Sequence, residues 1–399
     1  MMRRDFMKAA IVVSAMALVP RTSRAEVSRV PVKANQLKRG SKTKVFLAGV
    51  SKRASEKDVK LAVRNAAAAA TDFSWLSKGD SVFIKPVNNS GNPYPAATSP
   101  TAIAAMVEIL KEKGARKVIV GDMSGVQYIR FLSTSLSGSS RALMVSSGVA
   151  KAVQTSGAEM YCFEEGGWNA FYEDLPVAGS NWKHGLMMPN ILKDVQHIVL
   201  MPRCARHILA GSSLGLKAAV GYWRHDTRLE YHRDAATLQE KTAEGNAVTT
   251  LVTKQRLVIS AADKILTTVG PDKGYVFEPD NGLIIASGSV VAHDMVSLAW
   301  LLENRCIIPI SERDSFMDTS TVVSRIANHV VTSWLGGWGP ALASEAIAKN
   351  DLNTIWDDRV LTHSYDIFGG VPAVILEAAN SAVPETLKKR LGRMTAFPV

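Results

Sequence analysis

The sequence predicts an α/β protein: a mainly parallel sheet with helices on both faces, plus a mostly helical C-terminal part. Three observations predict it. Short apolar runs bounded by turn residues (KVFLAGV at 44–50, SVFIK at 81–85, KVIVG at 117–121, HIVLM at 197–201) read as buried strands. Helix-forming stretches lie between them, and strand–helix–strand alternation calls for parallel pairing through right-handed crossovers. Apolar residues make up 47% of the 399 residues and charged residues 21%, which suffices for a large core.

In chain order, residues 1–25 form a leader. Arg3-Arg4, Phe6 and Lys8 precede an apolar stretch, Ala9 to Pro20, that is too short for a permanent membrane span; Arg21, Arg24 and Ala25 follow. This pattern resembles a twin-arginine signal. The resemblance implies passage of an already folded chain through the twin-arginine translocase, cleavage after Ala25, and a periplasmic or extracellular destination, with no permanent membrane span. A general secretory signal or an uncleaved anchor is the alternative reading.

Residues 26–43 are polar and basic and read as a linker. The main α/β domain spans 44–300. Ser55 is a plausible cap for a helix to Asp72, whose alanine run Ala66–Ala70 has high helix propensity. Ser99-Pro100 opens a second helix with Ile103, Met106, Val107 and Leu110 on one face, ending at Gly114. Residues 126–148 read as a Ser/Gly-rich insertion or lid. Residues 149–156 read as a helix, 158–163 as a strand, 164–190 as irregular and 222–243 as a polar stretch. A long helix is expected over 247–262, a strand over 283–286 and a helix over 290–302. Residues 301–399 are expected to form a helical extension packed on the domain.

The formal net charge is +11, part of it in the leader. Such an excess suits a small anionic partner. No basic run interleaved with aromatics points to nucleic acid. The three cysteines, Cys162, Cys204 and Cys306, form no CxxC, so a four-cysteine zinc site and a self-contained iron–sulfur cluster are excluded by count. One disulfide is possible, against the blander reading of three mostly buried thiols.

Ligands of open α/β sheets gather at the carboxyl ends of strands. Three such ends here carry chemistry. Lys85 and Asn88 leave the second strand just before a helix start, as an anion site would require. Asp122, Ser124 and Gly125 follow the third, where small residues let a backbone approach a ligand. The alternatives are a lysine that only reaches solvent and an ordinary turn. After 197–201 the chain bends through His207 and a glycine-rich stretch to Lys217 and Gly221. Histidine can move protons near neutral pH, and a lysine near other cations can act as a nucleophile or hold a cofactor, though residue type alone favours structural roles for both. His225, Asp226 and His232 are imidazole and carboxylate groups that could join a metal site, or lie on a solvated face. Asp294, after His293, could complement a helix end.

The order Ile84-Lys85-Pro86, Thr98-Ser99-Pro100, Ile119 to Gly125, Pro202, His207, Gly215-Leu216-Lys217, Gly221, Ile284 to Ser287 and Val291-Ala292-His293-Asp294 resembles the domain-of-unknown-function 362 family over about residues 44–300. Relatives with cysteine clusters exist, but this chain lacks the cysteines, so no iron–sulfur cluster is expected. The stretch 207–221 is also similar to the lactate racemase family, where a His and a Lys stand ten residues apart. That resemblance implies a His in proton or hydride chemistry and a Lys anchoring a nickel–pincer nucleotide. Leu214, Leu216 and Val220 depart from the pattern, and His232 alone could stand for the later metal-binding His. The expectation is an exported enzyme acting on a small anionic organic molecule, racemase/epimerase-like or an oxidoreductase. Lys85, Asn88, Asp122, Ser124 and Gly125 would bind the anion, His207 and Lys217 would carry the chemistry, and a metal or nucleotide-derived cofactor is possible. The alternatives are an anion- or cofactor-binding module and an accessory protein of redox metabolism.

Overall fold

A computed structural model describes residues 37–314, 321–350 and 352–398. The expected twin-arginine leader and the first part of the expected linker lie outside the described residues.

An eight-stranded sheet forms the centre. Its strands are β1 Arg39–Ser51, β2 Ser81–Pro86, β3 Lys117–Asp122, β4 Glu159–Cys162, β5 His197–Met201, β6 Gln255–Ala262, β7 Asn281–Ser287 and β8 Val371–Ala378. In space they run β8-β1-β7-β6-β5-β2-β3-β4. β7 pairs antiparallel with β1 and β6. The other neighbouring pairs are parallel.

Successive side chains of a strand point to opposite faces, and the core divides accordingly. Val82, Ile84, Val118, Val120 and Val199 pack with helices α1 Glu56–Ala70 and α2 Pro100–Glu112 on one face. Phe83, Ile119 and Ile198 point the other way, into an aromatic core with Phe163, Tyr222, Trp223 and Tyr231. Further along that second face, Val45, Leu47, Leu283 and Ile285 meet helix α3 Val290–Arg305. The caps read from sequence are present. Ser55 and Asp58 make a reciprocal capping box, and Ser99 Oγ accepts from Ala102 N at 3.3 Å with Pro100 opening α2.

Several expectations are corrected. The expected helix over 247–262 is a short helix, Thr249–Lys254, running directly into β6 in the middle of the sheet. A strand buried on both faces shows no alternation, so periodicity alone does not separate it from a buried helix. β1 begins at Arg39, inside the expected linker, because β8 pairs with it from Arg39↔Val371 onward. The C-terminal part is mostly helical, as expected, and in addition contributes β8 to the sheet, with helix Glu385–Thr395 packed beside α3. The polar stretch 222–243 holds two helices, His225–Arg233 and Leu238–Glu244, with most of their side chains buried. Within the Ser/Gly-rich insertion lie a hairpin, Arg130–Leu132 with Ser135–Ser137, and a helix, Ser140–Ser147; the irregular segment holds a hairpin, Phe171–Asp174 with Leu186–Pro189.

Cys162 and Cys204 are buried, Cys306 is exposed, and all three are free thiols. Among the described residues no helix is long and apolar enough to cross a membrane.

Candidate functional site

From β2 the chain steps outward to β3 and β4, then returns so that β5 lies on the other side of β2. The gap between strands at such a reversal is where α/β sheets open a crevice at their carboxyl ends. A cavity of about 50 Å³ lies there. Lys85 and Asn89 reach it from β2, Asp122 and Met123 from β3, and Arg203 and His207 from beyond β5; Lys217, Gly221 and Arg228 complete the wall. Thr98 ties two of these ends together. Its Oγ1 accepts from Val87 N at 2.8 Å and donates to Met201 O at 2.6 Å.

Lys85 and Asp122 form a buried ion pair, Nζ to Oδ1 2.7 Å. Lys85 Nζ also donates to Pro86 O at 2.7 Å and stands 5.1 Å from the centre of the Tyr222 ring. Burial lowers its pKa, and Asp122 opposes that shift. Asp122 accepts two backbone N–H groups as well, from Asn88 at 2.7 Å and Met123 at 2.9 Å. Gly221 presses against the pair, and a Cβ there would collide with both Asp122 Oδ1 and Lys85 Nζ.

The other expected anion ligands build the wall rather than face the cavity. Asn88 Oδ1 accepts from Ser147 Oγ at 2.6 Å, and its Nδ2 donates to Ser90 O at 3.3 Å. Ser124 Oγ donates to Asn88 O at 2.6 Å. Gly125 N donates to Asn89 O at 2.8 Å, and a Cβ on Gly125 would stand 2.6 Å from Asn89 Oδ1. Glycine is required there so that the Asn89 amide can lie against the loop.

His207 ends a short strand, Ala205–His207, of a second sheet. Its Nδ1 accepts from Leu209 N at 3.1 Å and Ala210 N at 3.3 Å. A neutral imidazole whose Nδ1 accepts must carry its hydrogen on Nε2. Burial holds the His207 pKa well below its ordinary value, and Lys217 and Arg203 push it the same way. The ring therefore offers an N–H donor to the cavity, not a free lone pair.

Lys217 sits on the short helix Gly215–Ala218, whose first N–H groups are held by Asp294 of α3: Gly215 N to Oδ1 at 2.8 Å and Leu216 N to Oδ2 at 2.7 Å. Asp294 thus complements a helix end, but that of a different helix from its own. Ser260 Oγ, His293 and Asp294 form a chain, with 2.9 Å to His293 Nε2 and 2.8 Å from Nδ1 to Asp294 Oδ1. This is the connectivity of a hydrolytic triad, but Ser260 is sealed inside the sheet, so the chain orients Asp294. Among the described residues Lys217 Nζ makes no hydrogen bond or ion pair; it lies 5.5 Å from the Tyr231 ring centre. Burial, then Arg203, Arg228 and Lys85, lower its pKa to about 7.

Several cavity residues lie outside the sequence-derived set, among them Arg203, Asn89 and Arg228. Arg203 stands two residues beyond the end of β5 and donates through Nε to Ser213 Oγ at 3.0 Å. Its place beside that strand end was the available signal. Asn89 is one residue beyond the expected Asn88. Arg228, within a helix that looks solvated in sequence, is buried and donates to Ser124 O at 2.8 Å, Met123 O at 2.8 Å and Gly221 O at 3.1 Å. Burial lowers its pKa to about 10.

The structure does not bring His225, Asp226 and His232 together. Asp226 pairs with Arg224 at 2.7 Å, and His225 is buried beside Phe131. His232 Nδ1 meets Asn328 Oδ1 at 3.0 Å, while Asn328 Nδ2 donates to His232 O at 2.8 Å. Among the described residues no group of three or more His, Cys, Asp or Glu is placed to hold a metal ion.

The model of the family described as "Domain of unknown function (DUF362)" matches residues 82–299, which include every cavity residue named above. The chain belongs to this family. Within the DUF362 match lie all four parallel strand ends β2 to β5 and the His207–Lys217 bend. No curated protein matches the chain in sequence. Solved structures similar to it include the lactate racemase apoprotein from Thermoanaerobacterium thermosaccharolyticum, with 12% identity, a TM-score of 0.34, and 57% of this chain and 51% of that chain covered. Another is a protein from Thermotoga maritima, with 10% identity, a TM-score of 0.33, and 54% and 52% covered. The chain spans about half the length of each.

Proposed function

We propose that this DUF362 protein is an enzyme that binds a small anionic organic molecule in the strand-end cavity and moves a proton on it. The carrying observation is the unpartnered Lys217 ammonium facing a cavity already walled by Arg203, Arg228 and the Lys85–Asp122 pair. Asp122 and Asp272 pair with Lys85 and Arg203, and an anion supplies the partner that Lys217 lacks among the described residues. The volume of about 50 Å³ suits a few waters or a small anionic group, since one water needs about 10–15 Å³ by this measure.

The roles follow from the proton positions. With a pKa of about 7, Lys217 is present in both protonation states at neutral pH, which is what a proton-transfer group needs. In its neutral form Nζ takes a proton from a carbon beside the anionic group. The electron pair left behind moves onto the oxygens of that group, where Arg203 and the His207 Nε2–H stabilise it. Return of the proton to the same face completes an exchange cycle, and return to the opposite face after the intermediate turns over in the cavity makes it racemase- or epimerase-like. His207 thus stabilises charge, and Lys217 moves the proton. The donor set does not suit a metal ion: His207 Nδ1 is committed to two backbone N–H groups, and the surrounding cations would repel one. No step here passes through a metal or a nucleotide-derived cofactor.

The test is deuterium exchange at carbon in heavy water, followed by proton NMR across a panel of small carboxylic and hydroxycarboxylic acids. Exchange by the native protein and none by Lys217→Met is expected. Tight anion binding without exchange of any acid would leave the other reading, an anion-binding module using the same cavity. The site of action we place outside the cytoplasm, on the strength of Arg3-Arg4, Phe6 and Lys8; retention of an Arg3→Lys, Arg4→Lys double variant in the cytoplasm would support this, and unchanged export would oppose it.

A further inference from the structure

At the rim of the cationic cavity sits a carboxylate that belongs to the chain itself. Asn89 Nδ2 donates to both Asp272 oxygens at 2.9 Å, and Arg203 Nη1 lies 3.8 Å from Asp272 Oδ1. Asn89 and Arg203 both line the cavity. Asn92 Nδ2 donates to the Asp272 backbone carbonyl at 2.8 Å, so the carboxylate is held in place from two directions. Its loop leaves the short strand Ile265–Leu266, which pairs with Ala205 at the base of the His207 strand.

We propose that Asp272 is an internal stand-in for the carboxylate of the ligand, and that a substrate carboxylate displaces it from Asn89 and Arg203. This rests on the anion-binding reading of the cavity and narrows the anion to a planar carboxylate. One amide nitrogen shared between both carboxylate oxygens, with a guanidinium nitrogen 3.8 Å from one of them, shows that the pocket mouth accepts a carboxylate. A tethered carboxylate also competes at high effective concentration, so it masks the site until a ligand with further contacts to Lys217 and His207 replaces it. Val269, a β-branched residue in the same loop, has φ 55°, a conformation that such residues rarely adopt, so the loop holds backbone strain where it carries Asp272.

Calorimetric titration of the full chain and of Asp272→Asn with acetate, malonate and phosphate tests the proposal. The expected result is carboxylate binding at least tenfold tighter in Asp272→Asn than in the native protein, with a smaller gain for phosphate. Carboxylate binding to the native protein that is unchanged or weaker in the variant overturns the stand-in while leaving the anion site intact. An equal gain for phosphate overturns the carboxylate assignment. Absence of binding to either protein removes the anion site, and this inference with it. A second measurement needs no variant: tryptic cleavage after the exposed Lys273 should accelerate in saturating malonate, because the loop is released, and an unchanged or slower rate overturns displacement.

Discussion

Lys85 Nζ lies 2.7 Å from Asp122 Oδ1, with both side chains withdrawn from water at the adjacent ends of β2 and β3. The two residues are not equivalent. Asp122 keeps two backbone N–H donors if the lysine is removed, whereas Lys85 without Asp122 keeps only the Pro86 carbonyl and the Tyr222 ring. Breaking a buried pair by deleting one member costs about 3–5 kcal/mol, because the survivor is left charged and uncompensated. Asp122→Ala should fall in that range and Lys85→Met clearly below it. Urea denaturation of the two variants checks the order.

Lys217 gives a pH signature with a definite sign. The ammonium form attracts the anion, and in the empty protein it titrates at about pH 7. Anion affinity should be level below pH 7 and fall as pH rises above it, with proton uptake on binding near neutrality. Stability runs the other way. Between pH 7 and 10.5 the unfolded chain holds more protons on this lysine than the folded one, so the group's contribution to stability rises with pH across that window. Below pH 7 both states are protonated and the folded state carries the full penalty. Lys217→Met should therefore raise the melting temperature at pH 6 more than at pH 10 while removing the pH dependence of binding. Thermal melts and titrations at both pH values test this.

How far the sequence discloses such a site depends on what positions each group. Lys85 and Asp122 are accessible because they stand at the ends of apolar runs that read as strands, and His207 and Lys217 because they lie in the glycine-rich bend after such a run; strand ends are where parallel sheets keep their ligands. Arg228 is not. Its segment, HDTRLEYHR, looks solvated, and what buries the guanidinium is a set of carbonyls from Met123, Ser124 and Gly221. Backbone acceptors leave no trace in residue types. Asn88 and Asn89 differ by one step of the chain, and which amide faces the cavity is set by the loop beyond the strand. The same limit hid β6: it follows helix Thr249–Lys254 without a Gly or Pro between, and its apolar run has no alternation.

For His207, the hydrogen on Nε2 makes a prediction that residue type alone does not. A glutamine can place an N–H near the same point, whereas alanine cannot. His207→Ala should weaken carboxylate binding about tenfold to a hundredfold, the equivalent of one lost hydrogen bond to a charged group at about 1.5–3 kcal/mol. His207→Gln should recover most of that. Because the ring stays neutral through the range in which histidines usually titrate, neither variant should alter the pH profile between pH 5 and 7. A histidine-shaped transition in that range which disappears in His207→Gln would show that the ring exchanges protons after all.

Asp294 reaches the same cavity from a distance, through the helix that carries Lys217. Its two oxygens are the acceptors for Gly215 N and Leu216 N, and Gly215 has no room for a Cβ, which would stand 2.7 Å from Asp294 Oδ1. Asp294→Ala strands two buried N–H groups. Each such loss costs about 1–3 kcal/mol, so a fall in stability of about 3 kcal/mol is expected. Asp294→Asn keeps one acceptor oxygen and should lose less. The two substitutions also separate positioning from charge. If Asp294 acts by seating Lys217, anion affinity should fall in step with stability across the Asn and Ala variants, and the titration midpoint of binding should move away from pH 7 as the ammonium leaves its cationic neighbours. Lost stability with an unchanged midpoint would mean that Asp294 holds the fold and not the lysine.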